Sequence, residues 1–222
     1  KDFLELKGIS RNMRSKARLK ENLYVNGINV KNYHVLHIGD ELVIKTIEKR
    51  NPNILNNETK LEILFEDDYL LVVNKMAGIA SQPSRKHPTD NLISMINYYY
   101  QVNNIDTNIH LVNRLDFKTT GIVIVAKSGF IHHGMSQNIL KKQYLCIVKG
   151  HLIPQIGTID VPIRRIAEGD IRRGVYEDGQ RSITNYKVLK EFDNTSLVEV
   201  ELITGRTHQI RVHMKYIGFP IS

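Results

Sequence analysis

Two short stretches combine charged residues with glycine and threonine in a way that hydrophobic patterning does not explain. The first is "NRLDFKTTG", Asn113 to Gly121, directly before the apolar run "IVIVA". It offers one carboxylate, Asp116, with a guanidinium two residues earlier at Arg114. The second is "TGRTHQIRVH", Thr204 to His213, which places Arg206 just before an amphipathic segment. A guanidinium at the positive end of a helix favours an acidic partner, and Arg206 has none close in sequence. Asp116 is a candidate, because a two-pronged arginine–carboxylate pair would hold the carboxylate aimed at a substrate. The plainer alternative is that Asp116 is a turn residue paired with Arg114, while Arg206 belongs to a basic surface helix with Arg211 and Lys215. Both alternatives stay open on these residues alone.

Other chemistries find less support. Cys146 is the only cysteine, which excludes an internal disulfide and a cysteine-only zinc site. His132 and His133 are adjacent and His208 and His213 are five apart, so neither pair has the i, i+4 spacing of helical metal ligands. No metal site is expected. Phosphate-binding loops of the Walker or dinucleotide type and the G-x-S-x-G elbow are missing. A glycoside hydrolase would need two carboxylates, and no second acid sits in a comparable motif.

The elements that must position these residues can be read from periodicity. "SRNMRSKARLK" reads as a short helix with Ser10 as N-cap, Met13 and Ala17 on one face, and Arg11, Arg14, Lys16, Arg18 and Lys20 over most of the rest. "LYVNGINV" carries Asn26-Gly27 between apolar runs, a hairpin signal. "IGDELVIK" supplies another strand. Residues 48–60 hold Pro52 and four asparagines and read as a linker. "LEILFEDDYLLVVNK" looks like a hairpin turning at Glu66-Asp67-Asp68, and "TDNLISMINYYYQ" like a helix. "HLVNR" and "GIVIVAK" form two strands, with Asp116 on the connection between them, a common place for functional groups. Thr119, Thr120 and Gly121 allow a tight return to the sheet. Ser128 would cap a helix running through Lys142, before the strand "QYLCIVKG". "SITNYKVLKEF" and "TSLVEVELIT" read as antiparallel strands, and Ile210, Met214 and Ile217 set the face of a last helix ending at Gly218.

At 222 residues the chain can bury one or two cores. Its net charge of +8 is uneven: residues 1–50 carry 11 Lys and Arg against 6 Asp and Glu. A basic surplus points to a polyanion, with nucleic acid the leading partner, or else serves solubility alone. The charged first helix beside a small hairpin sheet suits RNA phosphates, with a solvated helix face as the alternative. No apolar run approaches the roughly 18 residues of a membrane helix. A cytoplasmic protein without a membrane partner is expected.

Several segments, in order, resemble one family. "FEDDYLLVVNKMAGIASQP", "NRLDFKTTG", "KKQYLCIVKG", "PIRR…DGQRSITNYKVL" and "LITGRTHQIRVHMKYIGFPI" are similar to the signature stretches of the RluA-type pseudouridine synthases. Residues 3–45 resemble the S-four RNA-binding domain that many members carry. The expected fold is therefore α+β: a helix-plus-hairpin RNA-binding domain over 1–47, a linker over 48–60, and a mainly antiparallel mixed-sheet catalytic domain flanked by helices over 61–222. Because the chain ends at "GFPIS", inside a family motif, that domain is expected to be shortened at its C-terminus.

The resemblance implies isomerisation of uridine to pseudouridine in RNA by a monomer of bacterial type, without cofactor or metal, on ribosomal large-subunit RNA or transfer RNA. It makes Asp116 the catalytic residue, with Tyr144 stacking on the target base and Arg206 pairing with Asp116. Arg114 would help displace the nucleotide, and Thr119, His208, Gln209 and Arg211 are further candidate substrate-binding residues. Arg11, Arg14, Lys16, Arg18 and Lys20 are the candidate RNA-binding residues of the first domain. Asn113, Met76, Gln82 and Cys146 depart from the family pattern. An RNA-binding protein without catalysis is the second reading.

Overall fold

The computed structural model describes residues 2–9, 11–19, 22–45, 48–137 and 141–222. The chain divides into two compact units, Lys1–Ile139 and Leu140–Ser222.

The first unit opens with helices α1 (Asp2–Leu6) and α2 (Arg11–Leu19), followed by strands β1 (Leu23–Val25), β2 (Ile28–Asn29) and β3 (Leu42–Ile44). These strands form an antiparallel sheet in the order β2-β1-β3. Asn26 and Gly27 both take positive φ, at 49° and 80°, as the tight hairpin turn requires. Ala17 of α2 is buried. Ser10, the expected cap of α2, lies outside the described residues.

Residues 48–60 form no described helix or strand, yet they are not a loose tether. The side-chain amide of Asn97 donates to the Ile54 carbonyl at 2.9 Å and to Asn56 Oδ1 at 2.8 Å, and Asn57 N–H donates to the Ser94 carbonyl. Glu48 accepts from Gly129 N–H at 3.0 Å and meets His110 Nε2 at 3.1 Å. Polar side chains thus satisfy a backbone that has no ladder of its own.

The body of this unit contains β4 (Glu62–Glu66), β5 (Leu70–Lys75), α3 (Leu92–Val102), β6 (His110–Leu111), β7 (Gly121–Ala126) and α4 (Gly129–Gln137). The sheet order is β4-β5-β7-β6, antiparallel throughout. Alternation along β5 buries Leu71, Val73 and Lys75, and their register partners on β7 are Val125, Val123 and Gly121. One face therefore holds four aliphatic side chains, each contributing about 1.5–3 kcal/mol on burial. Asp67 closes the β4–β5 turn by accepting from Tyr69 N–H and Leu70 N–H. Ser128 Oγ accepts from Ile131 N–H and caps α4 as expected. The described helix runs Gly129–Gln137, residues 138–140 lie outside the described residues, and Lys142, the expected last residue of the helix, begins the next strand.

The second unit contains β8 (Lys142–Lys149), β9 (Ile156–Asp160), β10 (Ile163–Arg165), β11 (Arg173–Val175), β12 (Ile183–Glu191), β13 (Thr195–Leu202) and α5 (Gln209–Tyr216). Four strands pair antiparallel in the order β8-β13-β12-β9, and β10 and β11 form a separate hairpin. Val148, Leu152, Ile159, Tyr186, Val198, Val200 and Met214 make the core. Met214 comes from α5, with Ile210 and Ile217 packed against the cluster, so the i, i+4, i+7 face does turn inward. Strands β9 to β11 have no counterpart in the pattern reading, because each is five residues or shorter.

Candidate active site

Asp116 lies on the connection from β6 to β7, and the way the chain leaves the sheet there is specific. The ladder of β6 stops at Leu111, three residues short of the end of the run "HLVNR". Val112 N–H still reaches the Ile124 carbonyl at 2.8 Å. At Asn113 the side chain takes over: its amide nitrogen donates to the Ile122 carbonyl at 2.9 Å and its oxygen accepts from Ile124 N–H at 2.8 Å. The side-chain amide thus stands in for a backbone peptide, and the main chain is free to turn away at Arg114.

The turned-away segment is clasped by the loop after β5. Ser81 Oγ accepts from Leu115 N–H at 3.1 Å and donates to the Leu115 carbonyl at 2.6 Å. Gly78 N–H donates to the Phe117 carbonyl at 2.8 Å. Both neighbours of Asp116 are therefore pinned, and Thr119 N–H closes a turn onto the Asp116 carbonyl at 3.0 Å. Exposed Arg114 donates to Gln82 Oε1 at 3.2 Å, and His87 stacks on Phe117 with ring centroids 4.7 Å apart.

Beneath this clasp lies Lys75, 1% exposed. Its Nζ donates to the Met76 carbonyl at 3.0 Å and the Ile79 carbonyl at 2.8 Å, fixing the clasping loop from below. Burial pushes its ammonium below the ordinary lysine range, and the charge of Asp116 partly opposes that. Sequence reasoning passed over Lys75 as a site residue. The available signal was a lysine closing an otherwise apolar strand on its buried face.

In the second unit, Tyr144 sits on β8 opposite Val200 of β13 and packs against the core cluster. Arg206 is exposed on the loop after β13, with Nε 3.4 Å from the Arg181 carbonyl. The loop is organised by Gln209, which is 2% exposed. Its Oε1 accepts from Arg206 N–H at 2.9 Å and Thr204 Oγ1 at 3.0 Å, and its Nε2 donates to the Ile183 carbonyl and Thr184 Oγ1, each at 2.9 Å. Every hydrogen-bonding position of that amide is used within the protein. Gln209 thus shapes the Arg206 loop. His208 takes a left-handed conformation, φ 57°, at the start of α5, and Arg211 is exposed on the same helix.

The candidate RNA-binding residues around α2 divide differently. Arg11 is exposed. Arg14 is turned to Glu5 of α1, Nη1 to Oε2 2.5 Å, and its side chain is largely covered. Lys20 lies outside the described residues, as do the side chains of Lys16 and Arg18. Among the described residues no helix is long and apolar enough to cross a membrane.

Comparison with known proteins bears on the family and the fold. Residues 69–216 match the family described as RNA pseudouridylate synthase. The chain is 39% identical over 205 residues to the Bacillus subtilis protein named uncharacterized RNA pseudouridine synthase YjbO, covering 90% of this chain and 72% of that protein. It is 33% identical over 204 residues to ribosomal large subunit pseudouridine synthase D of Pseudomonas aeruginosa, covering 90% and 63%. The solved structure of human RNA pseudouridylate synthase domain containing 1 superimposes with a TM-score of 0.61 at 25% identity, covering 75% of this chain and 69% of that one. With its motifs, its antiparallel α+β architecture and these relatives in agreement, the chain belongs to the RluA-type family of RNA pseudouridine synthases.

Proposed function

We propose that this protein isomerises uridine to pseudouridine in ribosomal large-subunit RNA, with Asp116 as the essential carboxylate and Tyr144 and Arg206 completing the site. The carrying observation is the double clasp on Asp116: Ser81 holds Leu115 and Gly78 holds Phe117. Such rigidity has little purpose in a turn that only reverses the chain, and it is what a carboxylate needs in order to meet one atom of a bound nucleotide.

In the reaction the N1–C1′ bond breaks, the uracil turns, C5 bonds to C1′, and the proton that C5 then loses is balanced by one gained at N1. No atom is gained or lost, so no oxidant, water or cofactor enters. The base must first leave its stack, at a cost of a few kcal/mol. Arg114, steadied by Gln82, and the ring of Tyr144 would offset part of that. Arg206 would pair with Asp116 and hold it aimed. Thr119 would fix the loop's return, while His208 and Arg211 would meet the RNA. Residues 1–47 would act as an S-four-like RNA-binding domain, with exposed Arg11 among its contacts, on a monomeric cytoplasmic protein. The ribosomal target rests on the names of relatives such as synthase D of Pseudomonas aeruginosa.

The test treats unmodified large-subunit ribosomal RNA and a transfer RNA pool separately, then locates pseudouridine by carbodiimide labelling and sequencing. The expected result is new pseudouridine in the ribosomal RNA with the parent chain and none with Asp116→Asn, which still binds RNA. Product confined to transfer RNA would reassign the substrate, and turnover by Asp116→Asn within tenfold of the parent would sink the catalytic assignment.

A further inference from the structure

The hairpin of β10 and β11 presents an unusual pairing. Its register sets Arg165 directly opposite Arg173, with Arg164 opposite Gly174 and Ile163 opposite Val175. Ile166 N–H donates to the Arg172 carbonyl, so the 166–172 pair is a hydrogen-bonded one. The alternation of an antiparallel ladder then makes 165–173 a non-hydrogen-bonded pair, the kind in which side chains approach most closely. Directly opposed Cβ atoms lie about 4.5–5.5 Å apart, and like charges there are destabilising.

The other arginines of this hairpin are neutralised. Arg164 Nε donates to Asp178 at 2.6 Å, its Nη1 to the Arg165 carbonyl at 2.7 Å, and its guanidinium lies 3.9 Å over the Tyr176 ring. Gly174 makes room for that ring, since a Cβ there would sit 2.9 Å from Tyr176 Cε2. Arg172 grips both oxygens of Asp170. Among the described residues neither Arg165 nor Arg173 has an acidic partner or a hydrogen bond to its guanidinium. Arg165 is exposed and Arg173 is half-buried. On that face the root of the hairpin is anchored by Ile163, 3% exposed. The pair is therefore mounted on a fixed base while lacking the counter-charge that its neighbours possess.

We propose that Arg165 and Arg173 form a phosphate clamp for the RNA backbone. Two guanidiniums on one face, each with a planar fork of donors, match adjacent phosphodiester groups. A bound strand would supply the negative charge that relieves their mutual repulsion. The choice of RNA as occupant rests on the family reading above, and the clamp would serve strand binding and not the isomerisation step.

The experiment measures binding of a fluorescein-labelled 20-nucleotide oligouridylate by the full chain across a potassium chloride series. Single-stranded contacts contribute a slope of roughly 0.7 each in the log–log plot. The double variant Arg165→Ala/Arg173→Ala should lose about 1.4 from that slope and bind about 10- to 100-fold more weakly at 50 mM salt. Arg165→Lys/Arg173→Lys should keep the slope, and Arg172→Ala, already satisfied by Asp170, should leave it unchanged. Thermal melting of each variant is read alongside, with the alanine pair expected at or above the parent. Should the double variant fail to fold, Arg165→Gln alone, at an exposed position, should still lose about 0.7. An unchanged slope, or an equal loss with Arg172→Ala, would overturn the clamp and leave only diffuse surface charge. Pseudouridine formation is scored separately: its absence with the parent chain would refute the catalytic reading, whereas the slope result stands or falls by itself.

Discussion

The hydroxyl of Ser81 is bonded to both ends of Leu115, accepting from its N–H and donating to its carbonyl. One side chain thereby plays the part of a neighbouring strand for a residue that has none, 34 positions away in sequence. Leu115 is 8% exposed and Ser81 is 7% exposed, so water does not readily replace that hydroxyl. The conformation of the residue before Asp116 thus depends on a group outside the motif that carries Asp116.

Ser81→Ala should leave the N–H and carbonyl of Leu115 without partners in a covered site. Each orphaned group costs about 1–3 kcal/mol. We expect a lower melting temperature and a fall in single-turnover rate larger than the fall in RNA affinity, because the aim of Asp116 is lost while the binding surfaces stay. Ser81→Thr, which keeps the hydroxyl, should recover most of the rate. Equal rates for Ser81→Ala and the parent in a stopped single-turnover assay would show that the clasp does not position Asp116.

Lys75→Met keeps the apolar stem and removes the ammonium. The Met76 and Ile79 carbonyls lose a charged donor, and hydrogen bonds to charged groups are worth about 1.5–3 kcal/mol each. A destabilisation of about 2–5 kcal/mol is expected in urea unfolding. The pH dependence adds a second readout. Burial lowers the folded-state value of Lys75 below the ordinary 10.5. Between those two values the unfolded chain binds more protons, so stability from this group rises with pH across that window. The methionine variant should lack that alkaline rise.

His213 sets an acid limit for the second unit. It is fully buried, its Nδ1 lies 2.8 Å from Thr184 Oγ1, and its Nε2 lies 3.1 Å from the Val161 carbonyl. The Val161 carbonyl can only accept, so the neutral ring carries its proton on Nε2 and Nδ1 accepts from the Thr184 hydroxyl, whose oxygen also accepts from Gln209 Nε2. Burial lowers the histidine below its ordinary 6.5, against opposing contributions from the Val161 carbonyl and Asp160. The unfolded chain therefore takes up the proton first as pH falls. Stability should be full above about pH 6.5 and decline below it toward the lowered folded value. Melting temperatures recorded from pH 8 to 5 should show this decline in the parent and a flatter profile in His213→Gln. A parent profile that is flat through this range would contradict the neutral network.

Much of the site's address was legible in the residues themselves. Apolar runs on either side of "NRLDFKTTG" put Asp116 on a connection between strands, since alternating or continuous burial imposes its period on the sequence. The Asn26-Gly27 turn, the Asp67 turn, the Ser128 cap and the inward face of α5 were equally local, each being decided by neighbours a few positions away. The order of the motifs was enough to name the family. What the chain could not declare locally were the relationships that depend on register and on distant side chains. Asn113 completing the ladder of β7, Ser81 gripping Leu115, and Lys75 lying beneath the clasp all join segments separated by many residues. Gln209 stands inside the motif, and of the four internal hydrogen bonds that make it the frame of the Arg206 loop, those to Ile183 and Thr184 likewise reach partners that the motif does not name. Arg165 and Arg173 are eight residues apart among several arginines, and only the pairing of β10 with β11 sets them face to face. The physical reason is the same in each case: period and turn chemistry act over one turn or one pleat, whereas a hydrogen bond or a charge interaction is decided by whichever group the completed fold brings within about 3–4 Å.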